Sequence, residues 1–266
     1  MARIRENVNQ DTEQFFDSEG YEQRRVDFLN FQSGNLGGHD CGVCKNKGYL
    51  FALDKNNCFY CYDCECMPIR RSYWNLQKSG LSDAIEQYTF DGYKTVFPWQ
   101  ENAKTTAQRY LDERENDWFF IGGQPGAGKT HLCTAICGQL LKSGVEVRYM
   151  LWLDEIRHIT ACFTDDDEYQ SAVYPLKRVE VLYIDDLFKL GNEERGRMKK
   201  PSPAMISVTH EIINSRYIAQ KPTIISTQIS IDDILDIDEA LGSRIYERSK
   251  RFCVLFPKNA KNWRLT

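Results

Sequence analysis

The sequence predicts an α/β protein: a parallel sheet with helices on both faces, preceded by a small cysteine-rich, metal-binding module. Three observations carry this. A glycine-rich stretch, GGQPGAGKTHL (Gly122–Leu132), lies between an apolar strand and a helix. Downstream of it, strand-like and helix-like segments alternate almost to the end of the chain. Six of the ten cysteines fall between Cys41 and Cys66.

Composition sets the frame. The 266 residues have room for one α/β domain and an appendage. The chain is 42% hydrophobic and 27% charged, a soluble globular balance. Its start, MARIRENVNQ, has no apolar core of signal-peptide length. No run approaches the roughly 20 apolar residues of a membrane span. A cytoplasmic location without a membrane partner is therefore expected, and there cysteines serve as metal ligands or packing rather than disulfides. The net charge of −4 excludes a basic footprint spread over the whole molecule. Charge is uneven, however. Ile231–Ala240 holds five acids and no base, whereas Leu241–Thr266 holds seven basic residues against Glu247 alone.

In chain order, EGYEQRRVDFLNFQ reads as a helix, with Tyr21, Arg25, Phe28 and Leu29 sharing a face. Asn35–His39 is a glycine-rich link. The segment CGVCKNKGYLFALDKNNCFYCYDCEC follows. Its C-x2-C pair and later cysteines suit a structural, tetrahedral zinc, and without a metal so small a module could not bury enough core. Cys41 and Cys44 form the first pair. The spacing leaves the second open among Cys58, Cys61, Cys64 and Cys66. Pro68 is expected to break the module. Arg70–Gly80 then reads as a helix, Ser82–Gln87 as a further turn of helix, TFDGYKTVFPWQ as a loop and Glu101–Arg114 as a helix.

DWFFIG (Asp117–Gly122) is a short strand and THLCTAICGQLLKSG the helix after the glycine loop. Gly123, Gly128, Lys129 and Thr130 fit G-x-x-x-x-G-K-[ST] in strand–loop–helix context, which makes the motif a nucleotide site. Backbone N–H groups of the loop and the helix N-terminus take phosphate oxygens. Lys129 reaches the terminal phosphates and the Thr130 hydroxyl ligates magnesium. Cys133 and Cys137 read as packing residues. The alternation continues through VEVRYM, WLDEIRHI, VEVLYIDD, AMISVTHEIINSRYIAQ, KPTIISTQ, EALGSRIYERSK and RFCVLF. The strand ending in Asp185 and Asp186 places a magnesium acid and a water-orienting carboxylate. At the end of KPTIISTQ, Thr227 or Gln228 can meet the terminal phosphate or the attacking water. Arg244 and Arg248, four apart, share a helix face and suit a neighbouring subunit's nucleotide, although Glu247 is a ready surface partner. The segment Lys189–Met205 carries five basic residues against two acids and suits single-stranded DNA.

GGQPGAGKTHL, VLYIDD, TIISTQ and LGSRIYER, in this order and spacing, resemble the AAA+ ATPases of the bacterial helicase-loader group (DnaC and DnaI). The cysteine module followed by RRSYWNLQKSGL resembles the version in firmicute and phage DnaC-like proteins. The likeness runs from about Cys41 to the end of the chain.

The resemblance implies an AAA+ core without a C-terminal lid domain. It divides the chain into a helicase-binding region with the zinc module (residues 1–72; module 41–66), a linker with helices (73–110) and the ATPase domain (111–266). It implies an ATP-dependent loader that binds a replicative hexameric helicase and delivers it to single-stranded DNA. Such a protein would be a weak ATPase stimulated by assembly or single-stranded DNA, self-associating through arginine fingers. ATP or ADP, Mg²⁺ and Zn²⁺ are its cofactors. Nucleotide binding falls to Gly123, Pro125, Gly126, Ala127, Gly128, Lys129, Thr130, His131 and, as a second sensor, Arg264. Catalysis falls to Asp185, Asp186, Gln228, Arg244 and Arg248, and magnesium to Thr130 and Asp185. The C-x-C spacing of the group selects Cys64 and Cys66 to join Cys41 and Cys44 on zinc. Two residues depart from the pattern. Asp186 stands where Glu is common, which implies slow hydrolysis, and Gln228 stands where Asn is common. Competing readings are an IstB-type transposition helper ATPase, a small-molecule kinase on the same phosphate loop, and direct DNA binding by the zinc module.

Overall fold

The computed structural model describes residues 18–78, 82–190 and 200–263. Arg264 and residues 191–199 of the basic segment lie outside these. The chain divides between Arg71 and Ser72 into two compact units.

In the first unit, helix α1 (Ser18–Phe31) packs on an antiparallel hairpin of β1 (Tyr49–Leu53) and β2 (Phe59–Asp63). The Asn30 amide reads the main chain of Phe51 in both directions, at 2.9 and 3.0 Å. The Arg25 guanidinium lies 4.6 Å from the Phe59 ring centroid. Asp54 closes the hairpin by accepting the N–H groups of Asn56 and Cys58. The hairpin was not expected, because its residues lie between cysteines whose spacing dominates the pattern. Helix α2 (Met67–Lys78) follows and contains the boundary between the units. It begins at Met67 rather than Arg70. Pro68 therefore opens a helix instead of ending a module, since the first turn has no use for its missing N–H.

The second unit continues with α3 (Ser82–Gln87), α4 (Pro98–Glu113), β3 (Phe119–Gly122), α5 (Lys129–Lys142), β4 (Val147–Leu151), α6 (Trp152–Ala161), α7 (Asp166–Arg178) and β5 (Val181–Leu187). After these come α8 (Pro203–Ile218), β6 (Thr223–Thr227), α9 (Ile231–Ile237), α10 (Glu239–Ser249) and, past a 3-10 turn, β7 (Cys253–Leu255). The helix expected from Glu101 starts at Pro98. Its first turn is held by Gln100, whose side-chain oxygen accepts the N–H groups of Val96 and Phe97 at 2.8 and 2.9 Å. Two helices were missed. α7 contains Pro175, and α9 has only seven residues. Part of the acid-rich stretch 231–240 caps helices: Asp233 pairs with Ser230 in a capping box on α9, and Asp238 accepts the Leu241 N–H on α10.

The strands form one parallel five-stranded sheet in the order β4-β5-β6-β3-β7. β3 and β6 are buried throughout and β5 almost so, as a sheet covered on both faces requires. Side chains alternate between two cores. Phe119, Ile121, Tyr183 and Ile224 pack with α4 and α5; Phe120, Leu182, Ile184 and Ile225 pack with α6 to α10. Cys133 and Cys137 are fully buried in the first core.

Arg216 on α8 staples the second layer to the sheet. It is fully buried and donates to Thr223 Oγ1 and to the carbonyls of Leu176, Val179, Glu180 and Pro222. The end of α7 and the entries to β5 and β6 thus share one guanidinium. Among the described residues, no helix is long and apolar enough to cross a membrane.

Candidate nucleotide cleft and cysteine centre

Ligands of open parallel sheets bind beyond the carboxyl ends of the strands. Here β5, β6 and β3 are consecutive neighbours, so the ends of all three border one cleft.

The loop after β3 forms its floor. Gly128 has φ +99°, and a Cβ there would stand 2.9 Å from Tyr93. Gly126 has φ +73°, and a Cβ there would stand 1.8 Å from Asn262 Oδ1. Both positions require glycine. Pro125 lines the cleft, while Ala127 is buried in the core beneath it. Lys129 begins α5 and curls back over the loop, donating to the carbonyls of Gly123 and Gln124 at 2.6 and 2.7 Å. Burial lowers its pKa to about 8, against the pull of Asp186 and Asp185. A buried ammonium held by carbonyls alone is poised for an anion.

Asp185, near the carboxyl end of β5, is buried. Its Oδ1 accepts from the Ser226 hydroxyl and lies 3.5 Å from Thr130 Oγ1; Oδ2 accepts from the Tyr149 hydroxyl at 3.1 Å. Thr130 and Asp185 thus present adjacent hard oxygens, a donor set that fits Mg²⁺. Tyr149 and Ser226 were missed by sequence reasoning. Each lies on a strand beside β5, and only the sheet order brings them to Asp185.

Between Ile184 and Leu187 the β5–β6 register slips. Asp186 sits at this irregularity with φ +55° and its carboxylate borders the cleft. Oδ2 accepts from Lys189 Nζ at 2.6 Å and Oδ1 from Gln228 Nε2 at 3.4 Å. Of the two polar residues considered at the end of β6, Gln228 lines the cleft. Thr227 points the other way, donating to the Leu187 carbonyl at 2.8 Å. His131 belongs to the side wall. It stacks on Tyr88 at 4.8 Å, meets Tyr93 edge-on at 5.2 Å, and places Nε2 2.8 Å from the Thr89 carbonyl. Burial lowers its pKa.

Arg244 and Arg248 share one face of α10 but do not line the cleft. Both guanidiniums lie over the Tyr217 ring, at 5.7 and 5.0 Å, and Glu247 is engaged by the Tyr217 hydroxyl at 2.7 Å rather than by either arginine. Tyr217, partly buried against the second core, is this platform. Phe188 is buried core.

In the first unit Cys41, Cys44, Cys64 and Cys66 are buried with their sulfurs within 4.8 Å of one another. Cys58 and Cys61 are exposed. Cys41 and Cys64 sulfurs are 3.9 Å apart, and those of Cys44 and Cys66 are 3.6 Å apart. These are no disulfides. A tetrahedron of sulfurs about 2.3 Å from a central zinc has edges of about 3.8 Å, so the donor set fits that ion.

The family model described as "IstB-like ATP binding protein" matches residues 70–266. The chain belongs to this family. Among curated relatives, the uncharacterized protein YqaM of Bacillus subtilis (strain 168) is 32% identical over 206 residues, 74% of this chain and 63% of YqaM. The chain therefore matches a little under two thirds of that relative's length. The replicative helicase loader DnaC of Escherichia coli (strain K12) is 24% identical over 202 residues, 75% of this chain and 74% of DnaC. A crystal structure of the DnaC helicase loader superposes with a TM-score of 0.56 and 23% identity, covering 65% of this chain and 99% of that one. The fold is thus an AAA+ ATP-binding core of the IstB/DnaC kind.

Proposed function

We propose that the chain is an ATP-switched loader that binds a replicative hexameric helicase and delivers it to single-stranded DNA. The observation that carries this reading is the cleft itself, in a chain related to DnaC. Loop amides and the Lys129 ammonium bind the phosphates. Thr130 and Asp185 hold Mg²⁺, which supplies charge neutralisation at the terminal phosphates. Asp186 orients water, with Gln228 beside it as sensor. The one-carbon-shorter carboxylate and its ion pair with Lys189 favour slow hydrolysis and a switch over a fast motor.

Arg244 and Arg248, outside their own cleft and preset on Tyr217, act on a neighbouring copy's nucleotide. Residues 1–72 form the helicase-binding region, 73–110 a linker with helices, of which α4 packs on the sheet, and 111–266 the ATPase domain. Cys41, Cys44, Cys64 and Cys66 hold structural zinc. α1 supports the partner role: Tyr21, Phe28 and Phe31 are exposed at 59, 64 and 74%, while Val26 on the same helix is buried.

The full chain is to be mixed with its host's hexameric helicase and run by native mass spectrometry, with ADP and with a non-hydrolysable ATP analogue. A complex that is lost when Tyr21, Phe28 and Phe31 are changed to Ser supports the loader. A chain that binds nucleotide but no helicase in either state refutes it. The family description favours one second reading, a transposition helper, whose mark would be DNA-stimulated hydrolysis with a transposase partner.

A further inference from the structure

Arg70 is fully buried, yet no carboxylate pairs with it among the described residues. Its neighbour Arg71 takes Asp63 at the surface. A buried guanidinium is strongly unfavourable unless an anion and hydrogen-bond acceptors surround it. The acceptors are present: Nη1 donates to the carbonyls of Leu36 and Gly37 at 2.5 and 2.7 Å, and Nη2 to Asn46 Oδ1 at 2.7 Å. Among the described residues, the cysteine centre is what supplies the anion. Nε donates to Cys66 Sγ at 3.3 Å.

We infer that Arg70 is the charge partner of the cysteine centre, setting how tightly its metal is held. The inference rests on the zinc reading and deepens it. Four neutral thiols would leave the guanidinium without a counter-charge. Four thiolates around one divalent cation carry a net charge of −2, and Arg70 reduces this to −1. The guanidinium also reaches both halves of the site. It touches Cys66 directly, and it shares Asn46 Oδ1 with the Cys41 N–H, which donates at 2.9 Å. Cys44 receives its own donor, the Gly48 N–H, at 3.3 Å. An N–H bond to sulfur withdraws charge from the thiolate, so Cys66 gives up its metal less readily and meets electrophiles more slowly. Changes to such outer contacts weaken metal binding by about 10- to 100-fold in comparable sites.

The test uses the full chain, zinc counted by elemental analysis, and zinc transfer to a chromophoric chelator. Arg70→Met is expected to lose zinc at least about tenfold more readily than the parent. Arg70→Lys keeps the charge but not the fork, and is expected to fall between them. Alkylation of the cysteines by iodoacetamide should follow the same order. Equal zinc retention in all three proteins overturns the inference and leaves the zinc reading standing. Arg70→Lys as weak as Arg70→Met also overturns it, because charge would not be the determinant. A parent chain that carries no zinc overturns both readings.

Discussion

Lys129 makes nucleotide binding depend on pH in a calculable way. Burial brings its pKa down to about 8 in the empty cleft. A nucleotide phosphate beside it favours the charged form, so the bound complex keeps the proton. Below about pH 8 the ammonium is ready and binding is pH-independent. Above it, each binding event must first recharge the lysine. The protonated fraction falls from about nine-tenths near pH 7 to about one-tenth near pH 9, so affinity for MgADP should fall about tenfold, or about 1.4 kcal/mol. The phosphates are fully ionised over this range and add no slope.

Folding stability of the empty protein moves the other way. The unfolded chain holds the lysine proton up to its ordinary pKa of 10.5, so it binds more protons than the folded chain between about pH 8 and that value, and stability rises there. Calorimetric titration with MgADP at about pH 7, 8 and 9, in buffers of different ionisation enthalpy, reads both affinity and proton uptake. Affinity flat to about pH 9 with no proton uptake would refute the reasoning. Lys129→Arg, which stays charged, should bind more weakly but without the slope.

Arg216→Met should cost at least about 3 kcal/mol in chemical denaturation, since it abandons buried carbonyls at the end of α7 and at the entries to β5 and β6; a loss under about 1 kcal/mol would mean that water takes over its role. Lys189→Ala frees one Asp186 oxygen. The pair is partly exposed, so the release is worth about 0.5–1 kcal/mol, and ATP turnover should rise about two- to fivefold. A fall in turnover would instead assign Lys189 to the phosphates.

What could be read in advance was what is contiguous. The phosphate loop is one stretch bounded by an apolar strand and a helix, and Asp185 and Asp186 close an unmistakable buried strand. Contacts made across the sheet stayed hidden. Tyr149 and Ser226 meet Asp185 only because β4 and β6 flank β5, and strand order is not written in local pattern. Arg216 was unreadable for the same reason, as its acceptors come from two separate connections, α7 to β5 and α8 to β6. Helix α7 was hidden by Pro175, and α9 by its brevity. For the cysteines, spacing alone left four candidates for the second pair. The fold separates them, because the hairpin turns Cys58 and Cys61 outward while its base brings Cys64 and Cys66 to Cys41 and Cys44.

The seating of Asn262 and Trp263 on Gly126 has a mechanical consequence. The Trp263 N–H donates to the Gly126 carbonyl at 3.0 Å, and the Asn262 side chain fills the space a Cβ would take. The phosphate loop and the chain near residue 263 therefore move as one piece. The contact is made by the main chain of Trp263, and its indole lies 4.5 Å from the Lys261 ammonium. The linkage also runs backwards: a pull on the chain beyond Trp263 is a pull on the nucleotide's seat.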